Sequence, residues 1–537
     1  MTFQSILLAV FLILLPGPSS NMIQGALQGA LQGVDLEDIM CTNEYWPSGY
    51  YETTCTMACP INCTCTLGSR FLTTACLDNV TESRPILYGP TLMGLRLSDI
   101  PLHNIHTDAF TELNWDEHHE LICLLHLSHD DLPIPSNAFD IYGRLYELDL
   151  SHNMLSNLPS DVFDDSIGWL YLLDLSHNLL TNLPSDVFES FEWLYILDLS
   201  HNMLTNLPSN LLDSMGGLNY SLYQSHTMLT NLSSDEFNSL VWLNELDLSH
   251  NRITNLAYDI FDSLGRVEYL NISHNVLTNL PSDVFDSLVW LKSLNLANNM
   301  LTNLSYDIFD SLGRVEYLNL SHNMLPNLPT DVFQEVQTLV ILKLSNNNLN
   351  ELPVGIFQGF TSLEELTVSY NSLTRLSSDV FRSIRTLVTL KLDNNNLKLL
   401  PNGIFQGFTS LEELSLNDNF QTCLSSYVFQ SIRRLVTLKL DKNNLKALPN
   451  GIFQGLTSLE ELSLNDNFLT CLSSYVFQSI RTLVTLKLDN NNLKSVTKWN
   501  ISGVDLFGRI VIKRQLPDSS TRRRISKHSK LTQLGTK

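Results

Sequence analysis

The sequence predicts a solenoid of the α/β class, in which short strands stack into one long parallel sheet. A phrase close to LYILDLSHNMLTNLP, at residues 194–208, returns about every 24 residues as far as position 493. Each copy contains alternating leucines, and an asparagine follows them at a fixed place. A unit of this size cannot bury its leucines alone, whereas stacked copies share a continuous core. The repetition therefore favours one elongating array over the roughly three or four domains that the length alone suggests.

The elements of one repeat follow from its consensus, LxxLxLSxNxLTxLPxxVFxxLxx. LxLS alternates in side-chain direction, so it predicts a strand with two leucines on one side, about 4.8 Å from the next strand. The asparagine turns inward, where its amide needs backbone partners on adjacent turns, and we interpret it as structural. It recurs at Asn153, Asn178, Asn202, Asn251, Asn275, Asn299, Asn323, Asn347, Asn371, Asn395, Asn419, Asn443, Asn467 and Asn491.

A secretory signal peptide is predicted at the N-terminus. An apolar run from Ile6 to Leu15 precedes Pro16 and small residues. This run is too short to span a bilayer, and no other run approaches the length of a transmembrane helix, so we expect an extracellular, secreted chain. Exported chains are glycosylated at N-x-S/T sequons. The sequons are Asn62, Asn79, Asn219, Asn231, Asn271, Asn303, Asn319 and Asn500.

The composition divides the chain and limits its partners. Six of the nine cysteines lie between 41 and 76, which in an exported protein predicts an oxidised module. The net charge of −24 argues against nucleic acid, because its phosphates would be repelled. The predicted segments are a signal peptide (1–20), a low-complexity linker (21–40), a cysteine-rich cap (41–90), about 17 repeats (91–496) and a basic, mostly disordered tail (497–537).

The 24-residue LP…VF repeat resembles the extracellular class of leucine-rich repeat proteins, which includes Toll-like receptor ectodomains, Slit proteins and variable lymphocyte receptors. The resemblance covers roughly residues 59–496 and implies a curved horseshoe with its parallel sheet on the concave face. CPINCTC followed by Cys76 resembles the disulfide-bonded N-terminal cap of this class. No cysteine follows Cys471, so either the tail covers the last repeat differently or the chain is truncated. The disulfides that the resemblance implies are Cys59–Cys65 and Cys63–Cys76, which leaves Cys41 for Cys55.

One residue between the strand leucines faces outward and provides the candidate ligand-binding positions. The early repeats have Asp149, Asp174, Asp198, Tyr223 and Asp247; the middle repeats have Asn271, Asn295 and Asn319; the late repeats have Lys343, Thr367, Lys391, Ser415, Lys439, Ser463 and Lys487. Glycans on the middle asparagines would separate an acidic patch from a mixed basic patch. One interpretation is electrostatic docking of a ligand. The other is local compensation of the lysines by Glu365, Glu413 and Glu461 on neighbouring strands.

A histidine precedes the position of the recurring asparagine in eight repeats, at His129, His152, His177, His201, His226, His250, His274 and His322. Neighbouring copies should stack about 5 Å apart. We favour an ordinary exposed polar position over a pH-sensitive ribbon or a metal site. Catalysis is disfavoured, because repeated DLSH on a flat sheet offers no oxyanion hole or pocket. We therefore predict that the protein is not an enzyme and that it binds neither a cofactor nor a metal.

One repeat departs from the consensus and is expected to be irregular. In LNYSLYQSHTML, Gln224 replaces a core leucine and Thr227 replaces the recurring asparagine. A buried amide without partners is unfavourable, so we expect a distortion near residues 219–227. This distortion reflects either sequence drift that the repeat array tolerates or a kink in the backbone that contacts the ligand.

Two kinds of repeat alternate from about residue 339. Units with VTLKL alternate with units reading EELSL, and 386–433 and 434–481 are nearly identical. Cys423 and Cys471 occupy equivalent places two repeats apart, about 10 Å by strand spacing and beyond disulfide reach. They are predicted to be free thiols, open to intermolecular bonding.

The sequence favours a secreted binding protein that recognises a protein or glycan on its concave face. The resemblance places immune or pattern recognition first. Cell adhesion, matrix or guidance functions come second, together with a receptor ectodomain whose membrane anchor is missing from this chain. The sequence does not determine the oligomeric state.

Overall fold

The computed structural model describes residues 145–493, except for 164–166, 192, 209–210, 214, 216–217, 219 and 474, together with residues 134 and 139 and the backbone of six earlier strands. Several predictions lie outside these residues: the signal peptide (1–20), Cys59, His129, the tail (497–537) and the sequons at Asn62, Asn79, Asn219 and Asn500. Backbone contacts divide the chain into an N-terminal unit, Met1–Asn251, and a C-terminal unit, Arg252–Lys537.

The N-terminal unit begins with antiparallel strands and continues with parallel ones. Its strands are β1 (Met40–Tyr45), β2 (Tyr51–Met57), β3 (Cys63–Leu67), β4 (Leu72–Cys76), β5 (Gly94–Ser98), β6 (Leu124–Ser128), β7 (Glu147–Asp149), β8 (Leu172–Asp174), β9 (Ile196–Asp198), β10 (Ser221–Tyr223) and β11 (Glu245–Asp247). Strands β1 to β4 pair antiparallel, and β4 to β11 pair in parallel. The backbone register places Cys41 opposite Cys55 and Cys63 opposite Cys76. The disulfides themselves stay a prediction.

The C-terminal unit is a run of parallel three-residue strands. They are β12 (Tyr269–Asn271), β13 (Ser293–Asn295), β14 (Tyr317–Asn319), β15 (Ile341–Lys343), β16 (Glu365–Thr367), β17 (Thr389–Lys391), β18 (Glu413–Ser415), β19 (Thr437–Lys439), β20 (Glu461–Ser463) and β21 (Thr485–Lys487). Each pairs with the next at the same offset, so equivalent side chains form columns across the strands.

The recurring leucines and asparagines build the core as predicted. Leu173 and Leu197 are central strand residues and fully buried, and buried phenylalanines of successive repeats, such as Phe163 and Phe188, stack on each other. The Asn202 amide donates to the carbonyls of Leu175 and Leu199 at 2.9 and 3.0 Å. Its oxygen accepts the Leu180 amide at 3.0 Å. Because the Asn202 side chain bonds three backbone polar groups from two successive repeats, its role is structural.

The α component of the predicted fold class is wrong for the described residues, in which the segments between strands form turns. After Pro184, a six-residue turn segment at 185–190 returns the chain toward the next strand. Its amide bonds connect residues three apart, as in Val187 to Pro184 at 3.3 Å and Phe191 to Phe188 at 3.2 Å. In so short a segment few hydrogen bonds would offset the cost of starting an α-helix, and successive turns take its place. Within the described residues there is no helix of membrane-spanning length and apolarity.

Candidate functional site

The outward column predicted from the sequence lies on the sheet face of the N-terminal unit. Parallel registers align Asp149 with Asp174, Asp174 with Asp198, and Tyr223 with both Asp198 and Asp247. In β7, β8, β9 and β11 the central leucine is buried and its two neighbours are partly exposed. These aspartates therefore form one outward row, about 4.8 Å between neighbours.

Each aspartate also has a local structural role that the sequence reasoning missed. Oδ1 accepts the backbone amide two residues later at 2.8–2.9 Å in Asp149, Asp174, Asp198 and Asp247. In the C-terminal unit the same bond, at 3.0–3.2 Å, is made by Asn271, Asn295 and Asn319. The mixture of Asp and Asn in one column was the available signal, because both bond their own backbone at this spacing. The bond requires an oxygen and not a charge.

The row places like charges close together at positions that are partly buried. Burial is the main cause that raises the pKa of Asp174 to about 6; the neighbouring Asp198 and Asp149 contribute in the same direction, and the Ser176 hydrogen bonds oppose the shift. Burial also raises the pKa of Asp198, although the nearby His177 partly offsets this. Among the described residues, no lysine or arginine contacts Asp174 or Asp198. The charge of this pair is therefore left without compensation by lysine or arginine among these residues.

An aromatic ladder runs beside the aspartate row. Tyr146, Tyr171, Tyr195 and Tyr220 stack with ring centroids 4.6, 4.6 and 5.1 Å apart. Two residues before the central tyrosines, Trp169 and Trp193 stack at 5.9 Å and are 67% and 59% exposed. Stacking fixes these rings while leaving their edges in solvent. Rigid aromatic surface of this kind lowers the entropy lost on binding and is enriched at protein interfaces.

The histidine column has a conformational cause that the sequence reasoning missed. Five rings, from His152 to His250, stack at 3.9–4.1 Å, closer than expected. Each described histidine of the column has a φ between 53° and 57°, and its non-histidine equivalents have a φ between 51° and 56°. Asn, Asp and His are the side chains most compatible with this left-handed backbone. Apart from Tyr370 and Lys442, these are the only residue types in the described column, so backbone geometry selects it.

The stacked geometry limits the histidine chemistry. Burial and neighbouring imidazoles lower the pKa of His177 and His201. A metal must lie in the plane of each ligating ring at about 2.0–2.1 Å from its nitrogen. Adjacent rings here are parallel to within 11°, so one ion cannot occupy both planes. In the described part of the chain, no group of three His, Cys, Asp or Glu side chains is arranged to hold a metal.

The irregular repeat is present where the sequence predicted it. Gln224 is fully buried, and neither polar atom of its side chain has a partner among the described residues. The Thr227 hydroxyl bonds Asn251 and the Gln224 carbonyl, but it is too short to reach the Leu204 amide that an asparagine would bond. On the outward face, the Tyr223 hydroxyl donates to Glu245 at 2.9 Å. Burial, aided by Glu245, raises the pKa of Tyr223 to about 12.

The late lysines are largely engaged in local contacts. Lys439 pairs with Glu413 at 2.7 Å and Lys487 with Glu461 at 2.6 Å, which are diagonal pairs of the kind expected for local compensation. Lys343 lies 5.2 Å from the centre of the Tyr317 ring. Lys391 has no ion pair among the described residues. The basic half of the candidate site is thus mostly satisfied within the chain.

The two alternating repeat types of the C-terminal unit make complementary hydrogen bonds. Asp393 accepts the Ser415 hydroxyl at 2.5 Å and the Asn417 amide at 2.7 Å. The Asn417 side chain then accepts the Asp441 amide at 2.8 Å. The same contacts recur 48 residues later among Asp441, Ser463, Asn465 and Asp489. These side-chain hydrogen bonds between neighbouring repeats therefore recur every 48 residues and not every 24.

The described sequons and free cysteines lie at accessible positions. Asn231 and Asn303 are exposed, whereas Asn271 and Asn319 are partly exposed on the sheet face. Glycosylation of these residues stays a prediction. Cys423 and Cys471 are exposed free thiols, as expected.

The parallel strands, aligned so that equivalent residues form columns, show that this is a repeat protein, and comparison with known proteins identifies its family. The leucine-rich repeat family model matches residues 143–204, 220–277, 265–325, 337–397, 385–445 and 433–493. These ranges cover more than half of the chain, which therefore belongs to the leucine-rich repeat family. Comparison with curated proteins gave no significant match.

Solved structures support the same fold. A leucine-rich repeat protein of Leptospira interrogans is similar at 28% identity and a TM-score of 0.56, over 67% of this chain and 94% of that one. Toll in the Toll–Spatzle complex of Drosophila is similar at 21% identity and a TM-score of 0.64, over 86% of this chain and 63% of that one. At 21% identity the second likeness concerns the fold alone. The expected resemblance to Toll-like ectodomains is confirmed at that level.

Proposed function

We propose that this chain is a secreted leucine-rich repeat protein that recognises a protein or glycan ligand on the sheet face of its N-terminal unit. The observation that carries the proposal is the partly exposed pair Tyr171 and Tyr195 of the tyrosine ladder, beside Asp174 and Asp198, which have no lysine or arginine partner among the described residues. A predicted signal peptide and eight sequons support an extracellular location. The proposed setting is immune recognition, since the fold neighbour Toll is described in a complex with Spatzle in development and innate immunity.

The proposal relies on the difference between the two sheet faces. In the N-terminal unit, Tyr171 and Tyr195 place aromatic surface next to Leu172 and Ile196, which are also partly exposed. In the C-terminal unit, charged residues pair with each other across strands. A surface that already satisfies its own charges gains little from a ligand, whereas rigid aromatic edges gain by desolvation.

The test compares binding by the secreted, glycosylated chain with binding by two double variants. Y171S/Y195S removes the centre of the ladder. V388S/V436S changes the same column in the C-terminal unit and serves as a matched control. Solid-phase binding is measured to microbial surface fractions, to cultured cells and to extracellular matrix.

Binding to a microbial fraction that Y171S/Y195S lowers at least tenfold, with V388S/V436S unchanged, would support immune recognition at this face. Such a loss equals about 1.4 kcal/mol. Binding to cells or matrix alone, with the same variant pattern, would instead assign adhesion. Equal effects of both double variants would overturn the proposed site.

A further inference from the structure

We infer that the ligand of the N-terminal sheet face is a protein segment rich in arginine, an inference that rests on the proposed function. The docking surface consists of two adjacent strands and the tyrosines before them, and we call it the Tyr–Asp face. Its residues are Tyr171, Leu172, Asp174, Tyr195, Ile196 and Asp198.

The fold does not require negative charge at this face. Asp174 and Asp198 each use Oδ1 to hold an amide of their own strand. Asn295 and Asn319 hold the equivalent amides in the C-terminal unit without charge. Like charges directly opposite on neighbouring strands are destabilising. The chain thus carries charged residues where its own neutral alternative would fold at lower electrostatic cost.

On the sheet face of the C-terminal unit the chain pairs two glutamates with lysines, whereas Asp174 and Asp198 have no lysine or arginine partner among the described residues. Glu413 and Glu461 each pair with a lysine at the diagonal position of the next strand, at 2.7 and 2.6 Å. No such cation reaches Asp174 or Asp198 from the described residues. A cationic partner would supply the missing charge, and the overall charge of −24 would attract it over long distances.

The surroundings of the two carboxylates select the kind of cation. They lie one strand spacing apart, about 4.8 Å, so one guanidinium with five donors can bridge both. Partly exposed Leu172 and Ile196 would pack against the aliphatic stem of an arginine. The tyrosine edges beside them suit its flat, weakly hydrated head group. A metal ion or a small polyamine would leave this apolar and aromatic surface in water.

The test measures binding of labelled peptides to the full chain by fluorescence anisotropy. The probes are a peptide of alternating arginine and serine, its lysine counterpart and its glutamate counterpart, with spermine as competitor. D174N/D198N removes the charge while preserving the Oδ1 hydrogen bonds. D161N/D186N makes the same change in net charge at exposed turn residues and is the matched control.

We expect the arginine peptide to bind most tightly, and D174N/D198N to weaken it at least tenfold while D161N/D186N changes it less than twofold. Raising the salt from about 0.05 M to about 0.3 M should weaken wild-type binding more than D174N/D198N binding. Equal weakening in the two double variants would reveal general attraction to an acidic chain and overturn the inference. Equal affinity for spermine, or no peptide binding, would also overturn it.

The two proposals fail differently. If Y171S/Y195S abolishes capture of a native ligand while D174N/D198N leaves it intact, the proposed function stands and the arginine-rich partner is rejected. If neither pair affects capture, the face is not the ligand site and both proposals fall.

Discussion

Replacing Gln421 with leucine is expected to stabilise the C-terminal unit by about 2–4 kcal/mol. Gln421 is fully buried, and its Nε2 and Oε1 have no partner among the described residues. A buried unsatisfied polar group costs about 1–3 kcal/mol, and the branched apolar end of leucine adds roughly 1 kcal/mol of burial. The chain contains its own reference, because Leu469 occupies the equivalent position 48 residues later and is also fully buried.

The two positions have the same backbone surroundings, so the comparison isolates the side chain. The backbone N–H of Gln421 donates to the Asn443 side-chain oxygen at 3.2 Å, and the backbone N–H of Leu469 donates to the Asn491 side-chain oxygen at 3.1 Å. Q421L should raise the urea midpoint and slow hydrogen exchange in peptides that cover β18. The reciprocal L469Q should lower stability by a similar amount and speed exchange in β20.

The reasoning would be refuted if Q421L stayed within about 0.5 kcal/mol of the wild type, the range of ordinary surface changes. Solvent would then satisfy the glutamine amide inside the repeat, and burial would not imply an unmet hydrogen bond. Loss of stability in Q421L would be a stronger contradiction, because it would show that the amide makes a favourable interaction there.

Three further changes test other features of the fold. Burial raises the pKa of Glu236 from 4.5 to about 7, so its contribution to stability is complete below pH 4.5 and lost as the pH rises through 7. Above pH 7, E236V should therefore be more stable to urea than the wild type by up to about 3 kcal/mol, and the difference should vanish near pH 4. The two proteins are compared at the same pH, so that the contribution of histidine titration is the same in both. T227N should give the Leu204 amide an acceptor, adding about 1 kcal/mol and slowing its hydrogen exchange. Gly455 has φ +99°, and an added Cβ would meet a backbone oxygen at 2.8 Å, so G455A should lower the melting temperature, whereas G313A, with open space around it, should not.

The repeat period was sufficient to predict strand positions and core. A fixed spacing aligns each leucine with its equivalent in the next turn, so the register needed no knowledge of distant contacts. The recurring asparagine could be assigned in the same way, since a buried amide in such a stack has only backbone to bond. Gln224 was found as an exception because it broke this pattern.

The local backbone conformation of each repeat could not be predicted from the 24-residue repeat period. The histidine column was visible in the sequence, but its cause is a positive φ that a single residue type does not reveal. Gln421 was missed because the Asn beside it remained and the repeat kept its length. Helical segments were predicted from fold class and not from residues, and the short turn after Pro184 contradicts them.

Stacking of near-identical repeats explains where charge can be placed and why the aspartate row stands out. Identical repeats put each side chain about 4.8 Å from copies of itself. Tyrosine, histidine, phenylalanine and asparagine tolerate this, because rings stack and amides bond backbone. A column of lysines would repel itself, and in the C-terminal unit lysine alternates with serine or threonine, which doubles the distance between charges. Asp174 and Asp198 are direct neighbours without such alternation. On the sheet face they are therefore direct like-charge neighbours of the kind that the alternation in the C-terminal unit avoids, which is a physical reason for proposing ligand recognition at this face.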